Sequence, residues 1–220
     1  TPMLFTSTKQ VIDLLETVVA EMPIYQQEMD RIGVVWLFQQ PLGEYYLSGS
    51  NNDCANIATM RGKKARSFGA DIPKAFTAIG AVPVTVPPVG VYEALKSGNI
   101  DYSFINPGNI QSLKLNEVAK THCGPVMAIS GHNITIGKRT WARLPPDIQK
   151  IFQEEARATQ REYMNYILDF EAKSLVNIKA QGGNVIPISA DELKKWRATA
   201  PDFLADWEKA TAAASGDAET

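Results

Sequence analysis

The chain has 220 residues, of which 45% are hydrophobic and 21% are charged, a balance typical of globular proteins that bury a substantial core. Its net charge of -2 provides no basic field for nucleic acid or for an anionic membrane surface, so neither is a predicted partner. The longest apolar stretches are too short to cross a bilayer, and we expect no direct membrane insertion.

Helical and extended patterns alternate along the chain. Apolar residues at helical spacing predict a first helix over residues 7–29, which Ser7 or Thr8 would cap. A strand is predicted at 34–38, and the Gly- and Asn-rich stretch 43–56 is predicted to be a loop. The elements predicted next, in chain order, are a strand at 64–67, a helix at 71–79, a strand at 82–86, a helix at 89–97, and strands at 102–105, 126–130 and 133–137. This order predicts an α/β protein with a parallel sheet and covering helices.

A long amphipathic segment begins near Pro145 and meets no helix breaker before Gly182. A helix of more than about 30 residues is roughly three times the globular mean, so we expect it to span two lobes or to bend midway. After it come a predicted strand at 184–188 and the sequence Ser189-Ala-Asp-Glu192, a capping box that indicates the start of another helix.

The residues that usually carry chemistry are few and dispersed. Cys54 and Cys123 are too far apart for a zinc ribbon or a redox CxxC pair, and a disulfide or two buried free thiols are both open readings. His122 and His132 have no partner at metal-ligand or catalytic spacing. We therefore predict no catalytic residue, no metal and no cofactor, and we do not expect an enzyme.

Arg66 is the leading candidate for a binding residue. It ends the basic run 61–66 on a predicted buried strand, where a planar guanidinium can hold a carboxylate at two points. An exposed ion pair is the alternative for a single arginine. Asn106 follows the predicted strand 102–105 at its carboxyl end, the edge at which open α/β sheets bind ligands, although an Asn-Pro pair also commonly starts a turn.

Five short segments form an ordered set: IATMRGKKAR (57–66), IGAVPV (79–84), VYEALKSGNID (91–101), EVAK (117–120) and WARLPPDIQ (141–149). In order and spacing they resemble the solute-binding proteins of tripartite ATP-independent periplasmic (TRAP) transporters, the DctP-like family. The beginning of the chain, at 2–5, is similar to a short motif in the first lobe of that family. By this resemblance the chain is expected to lack the family's N-terminal segment.

The resemblance implies a two-lobe, periplasmic-binding-protein-like α/β fold with hinge strands and a long lobe-spanning helix. The expected lobe I comprises residues 1–45 and 132–171 and is incomplete, and the expected lobe II comprises residues 46–131 and 172–220. The implied function is that of a periplasmic protein that captures a small organic acid in the interlobe cleft and delivers it to the subunits of a TRAP membrane permease. A ligand-sensing ectodomain and an enzyme on the same scaffold are the alternatives.

The resemblance also assigns site residues. By position, Arg66 corresponds to the family's carboxylate-binding arginine, and Asn106 to an asparagine that helps to hold the same carboxylate. Tyr45, Phe68 and Phe104 are expected to give the site aromatic walls, although each is also a common packing residue. The position of the second arginine that sialic-acid binders carry falls near Tyr45 or Tyr46 here, which argues against a sialic-acid ligand.

Overall fold

The computed structural model describes residues 5, 7–50, 52–127 and 131–215, and the chain divides into two compact units. Unit 1 consists of Glu44–Met127 and the described part of Ser174–Thr220. Unit 2 consists of the described parts of Phe5–Gly43 and Ala128–Lys173. Both units contain helices and strands, as expected for the predicted α/β class.

The helices are α1 (Thr8–Glu21), α2 (Pro23–Arg31), α3 (Asp71–Ala78), α4 (Val91–Lys96), α5 (Pro107–Ser112), α6 (Lys138–Trp141), α7 (Pro146–Ala180), α8 (Ala190–Thr199) and α9 (Phe203–Ser215). The strands are β1 (Val34–Gln40), β2 (Tyr45–Gly49), β3 (Lys64–Ser67), β4 (Val82–Thr85), β5 (Tyr102–Ile105), β6 (Thr121–Met127), β7 (His132–Gly137) and β8 (Asn184–Ile186).

Unit 2 contains α1, α2, α6, a two-stranded antiparallel sheet of β1 and β7, and the larger part of α7. The single helix predicted over 7–29 is wrong, because the chain forms two helices that meet at Pro23. Proline is well tolerated in the first turn of a helix but removes a hydrogen bond from a helix interior, so it ends one helix and starts the next. The predicted cap is confirmed, since the Ser7 hydroxyl accepts a hydrogen bond from the Gln10 amide at 3.3 Å.

Unit 1 is built around a six-stranded sheet with the order β4-β3-β5-β2-β6-β8. Strand β3 runs parallel to β4 and β5, and β6 runs parallel to β8, but β2 is antiparallel to both of its neighbours. The sheet is therefore mixed, and the prediction of a parallel sheet is wrong at β2. The loop predicted at 43–56 is also wrong in part, because β2 lies inside the sheet with all five residues buried.

Two predictions concern the later part of the chain. The strand predicted at 126–130 belongs to β6, which begins five residues earlier, at Thr121, and residues 128–130 lie outside the described residues. The long helix is confirmed as α7, which has 35 residues and contributes to unit 2 up to Lys173 and to unit 1 from Ser174. Only half of the predicted capping box forms, because the Ser189 hydroxyl accepts from the Glu192 amide but the Glu192 carboxylate accepts from the Ile57 amide.

The core of unit 1 lies on both faces of its sheet, because neighbouring residues of a strand point to opposite sides. On β2 and β5, Tyr46 and Ile105 belong to a mainly aliphatic cluster, whereas Tyr45 and Phe104 pack against aromatic rings. The other buried members of the aliphatic cluster are Val91, Ala94, Ile100, Ile110, Leu115 and Ile178. On the aromatic side, the Trp196 indole is fully buried and donates to the Ala75 carbonyl at 2.7 Å.

A disulfide joins Cys54, in a short 3-10 turn after β2, to Cys123 in β6. Both residues are completely buried. Of the two readings left open by the sequence, the structure therefore contains the bridge.

Candidate functional site

Arg66 lies near the end of β3 and is only 4% exposed. Its guanidinium is held by backbone carbonyls from two neighbouring strand ends: Nε donates to the Val86 oxygen at 2.9 Å, and Nη1 donates to the Phe104 oxygen at 2.8 Å. These bonds use two of the five N–H groups of the side chain. They also fix the plane of the guanidinium, so its orientation is set before any ligand arrives.

The charge of Arg66 has no acidic partner among the residues that the structure describes. Burial lowers the pKa of Arg66, and the neighbouring Tyr45 partly offsets that effect. A buried cation without a counter-charge is costly unless hydrogen bonds or an anion compensate it. An anionic group bound here would compensate the charge of Arg66, and a carboxylate matches the fork of donors.

The guanidinium lies over one aromatic ring, which packs against two others. The Phe68 ring centroid lies 5.0 Å from Cζ of Arg66, a distance at which a cation and a π face attract each other. The Tyr45 ring packs against Phe104 at 4.7 Å and against Phe68 at 5.9 Å. The structure thus brings together four of the predicted site residues in unit 1.

These aromatic residues differ in how much surface they offer to a ligand. Phe68 is partly exposed, Tyr45 is 5% exposed, and the Phe104 side chain is completely buried. Phe104 therefore contributes its backbone carbonyl and a packing surface, while Phe68 is the ring that can line the site. Beneath them, Phe104 contacts Phe76 edge to face at 5.6 Å, which ties the site to the core of unit 1.

Asn106 directly follows β5, two residues beyond the carbonyl that binds Arg66. It is 4% exposed and caps α5, with its side-chain oxygen accepting from the Asn109 amide at 3.2 Å. The local role of Asn106 is therefore to start a turn, which is the alternative that its Asn-Pro sequence suggested. The side-chain NH2 is the group that Asn106 could add to a ligand, because a carboxylate needs donors.

The carbonyls of Val86 and Phe104 that orient Arg66 were not predicted from the sequence. Every residue has a backbone carbonyl, so no residue type marks these acceptors in a sequence. The sequence does indicate that Tyr45 lies on a strand, because a Tyr-Tyr-Leu run between two glycines is typical of a short buried strand.

His122 forms a second polar cluster in unit 1, on β6, and is completely buried. Its Nδ1 lies 2.9 Å from the Ser48 hydroxyl, and its Nε2 lies 3.2 Å from Oδ1 of Asn116. The Asn116 amide nitrogen donates to the carbonyls of Ile178 and Gln181, so its oxygen faces His122 and accepts from a protonated Nε2. Burial, with a smaller contribution from Lys120, lowers the pKa of His122 to about 4. This histidine is a neutral structural group at ordinary pH.

Within the described ranges 5, 7–50, 52–127 and 131–215, no helix has the length and hydrophobicity needed to cross a bilayer. Within the same ranges, no three histidine, cysteine, aspartate or glutamate side chains come together as a metal site.

Comparison with known proteins gives consistent matches. Residues 1–210 match the family model DctP, described as bacterial extracellular solute-binding protein, family 7. The C4-dicarboxylate-binding periplasmic protein DctP of Rhodobacter capsulatus is 31% identical over 121 residues. That match covers 54% of this chain and 36% of the relative, so the matched part is about a third of the relative's length.

Solved structures show the same fold. DctP7 of Bordetella pertussis, an extracytoplasmic solute receptor binding pyroglutamic acid, matches with a TM-score of 0.83 and 20% identity, over 94% of this chain and 68% of that one. A TRAP periplasmic solute-binding protein from Sulfitobacter sp. NAS-14.1, with bound β-D-galacturonate, matches with a TM-score of 0.83 and 21% identity, over 95% and 69% of the two chains. The predicted periplasmic-binding-protein-like fold is confirmed by these matches.

Proposed function

The chain belongs to the DctP family of bacterial extracellular solute-binding proteins, and on that premise we propose that it binds a small organic acid through the carboxylate and delivers it to a TRAP membrane permease. The observation that carries this proposal is the geometry of Arg66, a buried, preoriented guanidinium without an acidic partner in the described part of the chain. The family is one of solute-binding proteins rather than enzymes.

Binding at this site needs no chemistry on the ligand. A carboxylate would replace solvent at the remaining N–H groups of Arg66, and the pair of bonds would fix its plane. Because the two strand-end carbonyls already hold the guanidinium, little side-chain entropy is lost on binding. The Phe68 ring, whose centroid lies 5.0 Å from Cζ of Arg66, would shield one side of the site from water and so strengthen the electrostatic attraction.

The ligand class follows from what the matched relatives have in common. The Rhodobacter capsulatus relative is named for C4-dicarboxylates, and the two solved neighbours bind pyroglutamic acid and β-D-galacturonate. These molecules have different bodies but all carry a carboxylate, the group that matches Arg66. In the proposed site Phe68, Tyr45 and Asn106 contact or support the ligand, and Phe104 acts through its carbonyl.

Location and partner are inferred in the same way. Members of this family are extracellular solute-binding proteins, and the named relative is periplasmic. A periplasmic location would place the chain beside the membrane permease that takes up its ligand, and it would permit the Cys54–Cys123 disulfide to form.

The test begins with a thermal-shift screen of pyroglutamate, galacturonate, succinate and malate, followed by calorimetry on the best ligand. Arg66→Ala should weaken binding by about 3 kcal/mol or more, roughly 150-fold in Kd, because the carboxylate would lose its counter-charge in a buried site. Arg66→Lys should recover only part of this loss, since an ammonium lacks the planar fork.

Arg61→Ala is the matched control, because Arg61 belongs to the same basic run and is exposed. Its Kd should equal that of the wild type. Unchanged affinity in a folded Arg66→Ala protein would show that the carboxylate is bound elsewhere.

A further inference from the structure

The strand ends around Arg66 follow from the pairing of the sheet in unit 1. Strands β3, β4 and β5 run parallel, so their carboxyl ends share one edge of the sheet. Strand β2 runs in the opposite direction, with Tyr46 beside Ile105, so its beginning lies at the same edge. Glu44 directly precedes β2 and is therefore placed at the edge that carries Arg66 and Asn106. The residues at this edge determine what unit 1 offers to the body of a ligand.

The edge carries a single positive charge. In the described segments 44–46, 66–68, 85–89 and 104–106, which form it, Arg66 has the only cationic side chain. Its guanidinium can pair with one carboxylate. A second carboxylate on the same ligand would meet no counter-charge in these segments, and taking an unpaired charge out of water is costly.

The segment after β4 is apolar and poor in hydrogen-bond donors. The Val86 carbonyl holds Nε of Arg66, and the chain continues as Pro87-Pro88-Val89. Proline has no N–H group, so two successive residues of this segment cannot donate to an anion. Val89 is 86% exposed, the largest fraction among the large hydrophobic side chains that the structure describes. With the partly exposed ring of Phe68, the edge thus offers apolar surface to a ligand.

Glu44 adds a negative charge to the same edge. Its side chain is partly buried and has no hydrogen-bond or ion-pair partner among the described residues. Burial raises the pKa of the Glu44 carboxyl, and no neighbouring cation or donor offsets that effect. Two like charges about 10 Å apart at an intermediate dielectric constant repel each other enough to weaken an affinity roughly tenfold. A ligand with a single carboxylate avoids this repulsion.

We infer that the ligand is a monocarboxylic acid with an apolar body, and that Glu44 excludes acids that carry a second carboxylate at the far end. This inference rests on the proposed function, because it concerns the body of the acid whose carboxylate binds Arg66. Phe68 and Val89 would contact that body. The inferred class differs from the one in the name of the Rhodobacter capsulatus relative, a C4-dicarboxylate-binding protein.

The experiment compares acids that differ only in the second carboxylate. An isopropyl group has nearly the shape of a carboxylate but no charge, so each dicarboxylate has an apolar counterpart. The pairs are 4-methylpentanoate and succinate, 5-methylhexanoate and glutarate, and 4-isopropylbenzoate and terephthalate. Calorimetry on the 220-residue chain is done at pH 8, well above the usual pKa of a glutamate. In the pair that binds best, the apolar acid should bind at least about tenfold tighter than the dicarboxylate.

A substitution at Glu44 tests its role in this selection. Glu44→Gln should reduce the ratio of the two affinities about tenfold, mainly by tightening the dicarboxylate, because the repelling charge is removed. A wild-type thermal unfolding midpoint would show that the variant is folded. Glu117→Gln is the matched control and should leave the ratio unchanged. Glu117 is exposed and lies just before β6, whose first residue pairs with Gly49 at the opposite edge of the sheet.

The outcomes separate this inference from the proposed function. A dicarboxylate that binds as tightly as its apolar counterpart, with Arg66→Ala abolishing both, would overturn the inference and leave the carboxylate site intact. So would an unchanged ratio in folded Glu44→Gln, or failure of all six acids while a ligand of the first screen binds through Arg66. Binding that persists in Arg66→Ala, or no binding of any acid in either screen, would overturn the proposed function as well.

Discussion

The buried His122 should make unit 1 lose stability as the pH falls. Its imidazole is neutral in the folded protein and is held between the Ser48 hydroxyl and the Asn116 side chain. On unfolding it becomes hydrated, and its pKa returns from about 4 to the usual 6.5. Between these two values the unfolded chain binds a proton that the folded chain does not, so acidification favours unfolding.

The magnitude follows from the two pKa values. The difference between the two pKa values corresponds to about 3 kcal/mol, which is present above pH 6.5 and is lost as the pH falls toward 4. Between pH 7 and pH 5 the loss attributable to His122 is about 2 kcal/mol. With a urea m-value of about 1.5 kcal/mol per molar, the unfolding midpoint should fall by roughly 1 M over this interval from this group alone.

The assay is urea unfolding at pH 7 and pH 5, followed by hydrogen exchange of the β6 amides so that unit 1 is observed directly. His122→Gln keeps hydrogen-bonding groups at the site but cannot titrate, so between pH 7 and pH 5 its free energy of unfolding should fall by about 2 kcal/mol less than that of the wild type. His132→Gln is the control, because His132 is the other histidine of the chain and is exposed in unit 2. Equal pH dependence in the wild type and in His122→Gln would refute the reasoning.

Three further predictions concern the stability of unit 1. Replacing Cys54 and Cys123 together by alanine should lower the free energy of unfolding by about 4 kcal/mol, because the crosslink joins positions 69 residues apart; an unchanged urea midpoint would contradict this. Trp196→Ala should cost about 3–5 kcal/mol through the cavity it leaves, whereas Trp207→Ala, at a side chain that is 58% exposed, should change thermal unfolding little. Gly124→Ala would place a methyl group 2.5 Å from the Tyr46 ring and should cost about 1–3 kcal/mol, and a wild-type melting temperature would show that the ring can move aside.

Local sequence signals predicted those elements whose stability depends on their own residues. The apolar segment that became β5, the capping serine of α1 and the uninterrupted amphipathic stretch of α7 all lie where expected. In each case side-chain periodicity or a cap hydrogen bond acts within a few residues, so a short window of sequence contains the information.

The errors arose where distant residues decide the outcome. Strand β2 is flanked by glycine and serine, which locally favour a loop, but pairing with both β5 and β6 makes it an inner strand. The break at Pro23 is an error of another kind, because the proline that causes it is local, but the apolar pattern continues across it. At the candidate site, the sequence indicated Arg66 but not its orientation, which depends on two backbone carbonyls that are 20 and 38 residues away.

The way in which Arg66 is held has a consequence for how this protein can evolve. Its two acceptors are main-chain oxygens, so exchanging the side chain at Val86 or Phe104 for another that fits leaves both bonds available. In the proposed site, the side chains next to Arg66 can therefore change while the guanidinium keeps its position. Ligand preference would then depend on replaceable side chains, and anchoring of the proposed carboxylate would depend on the path of the backbone.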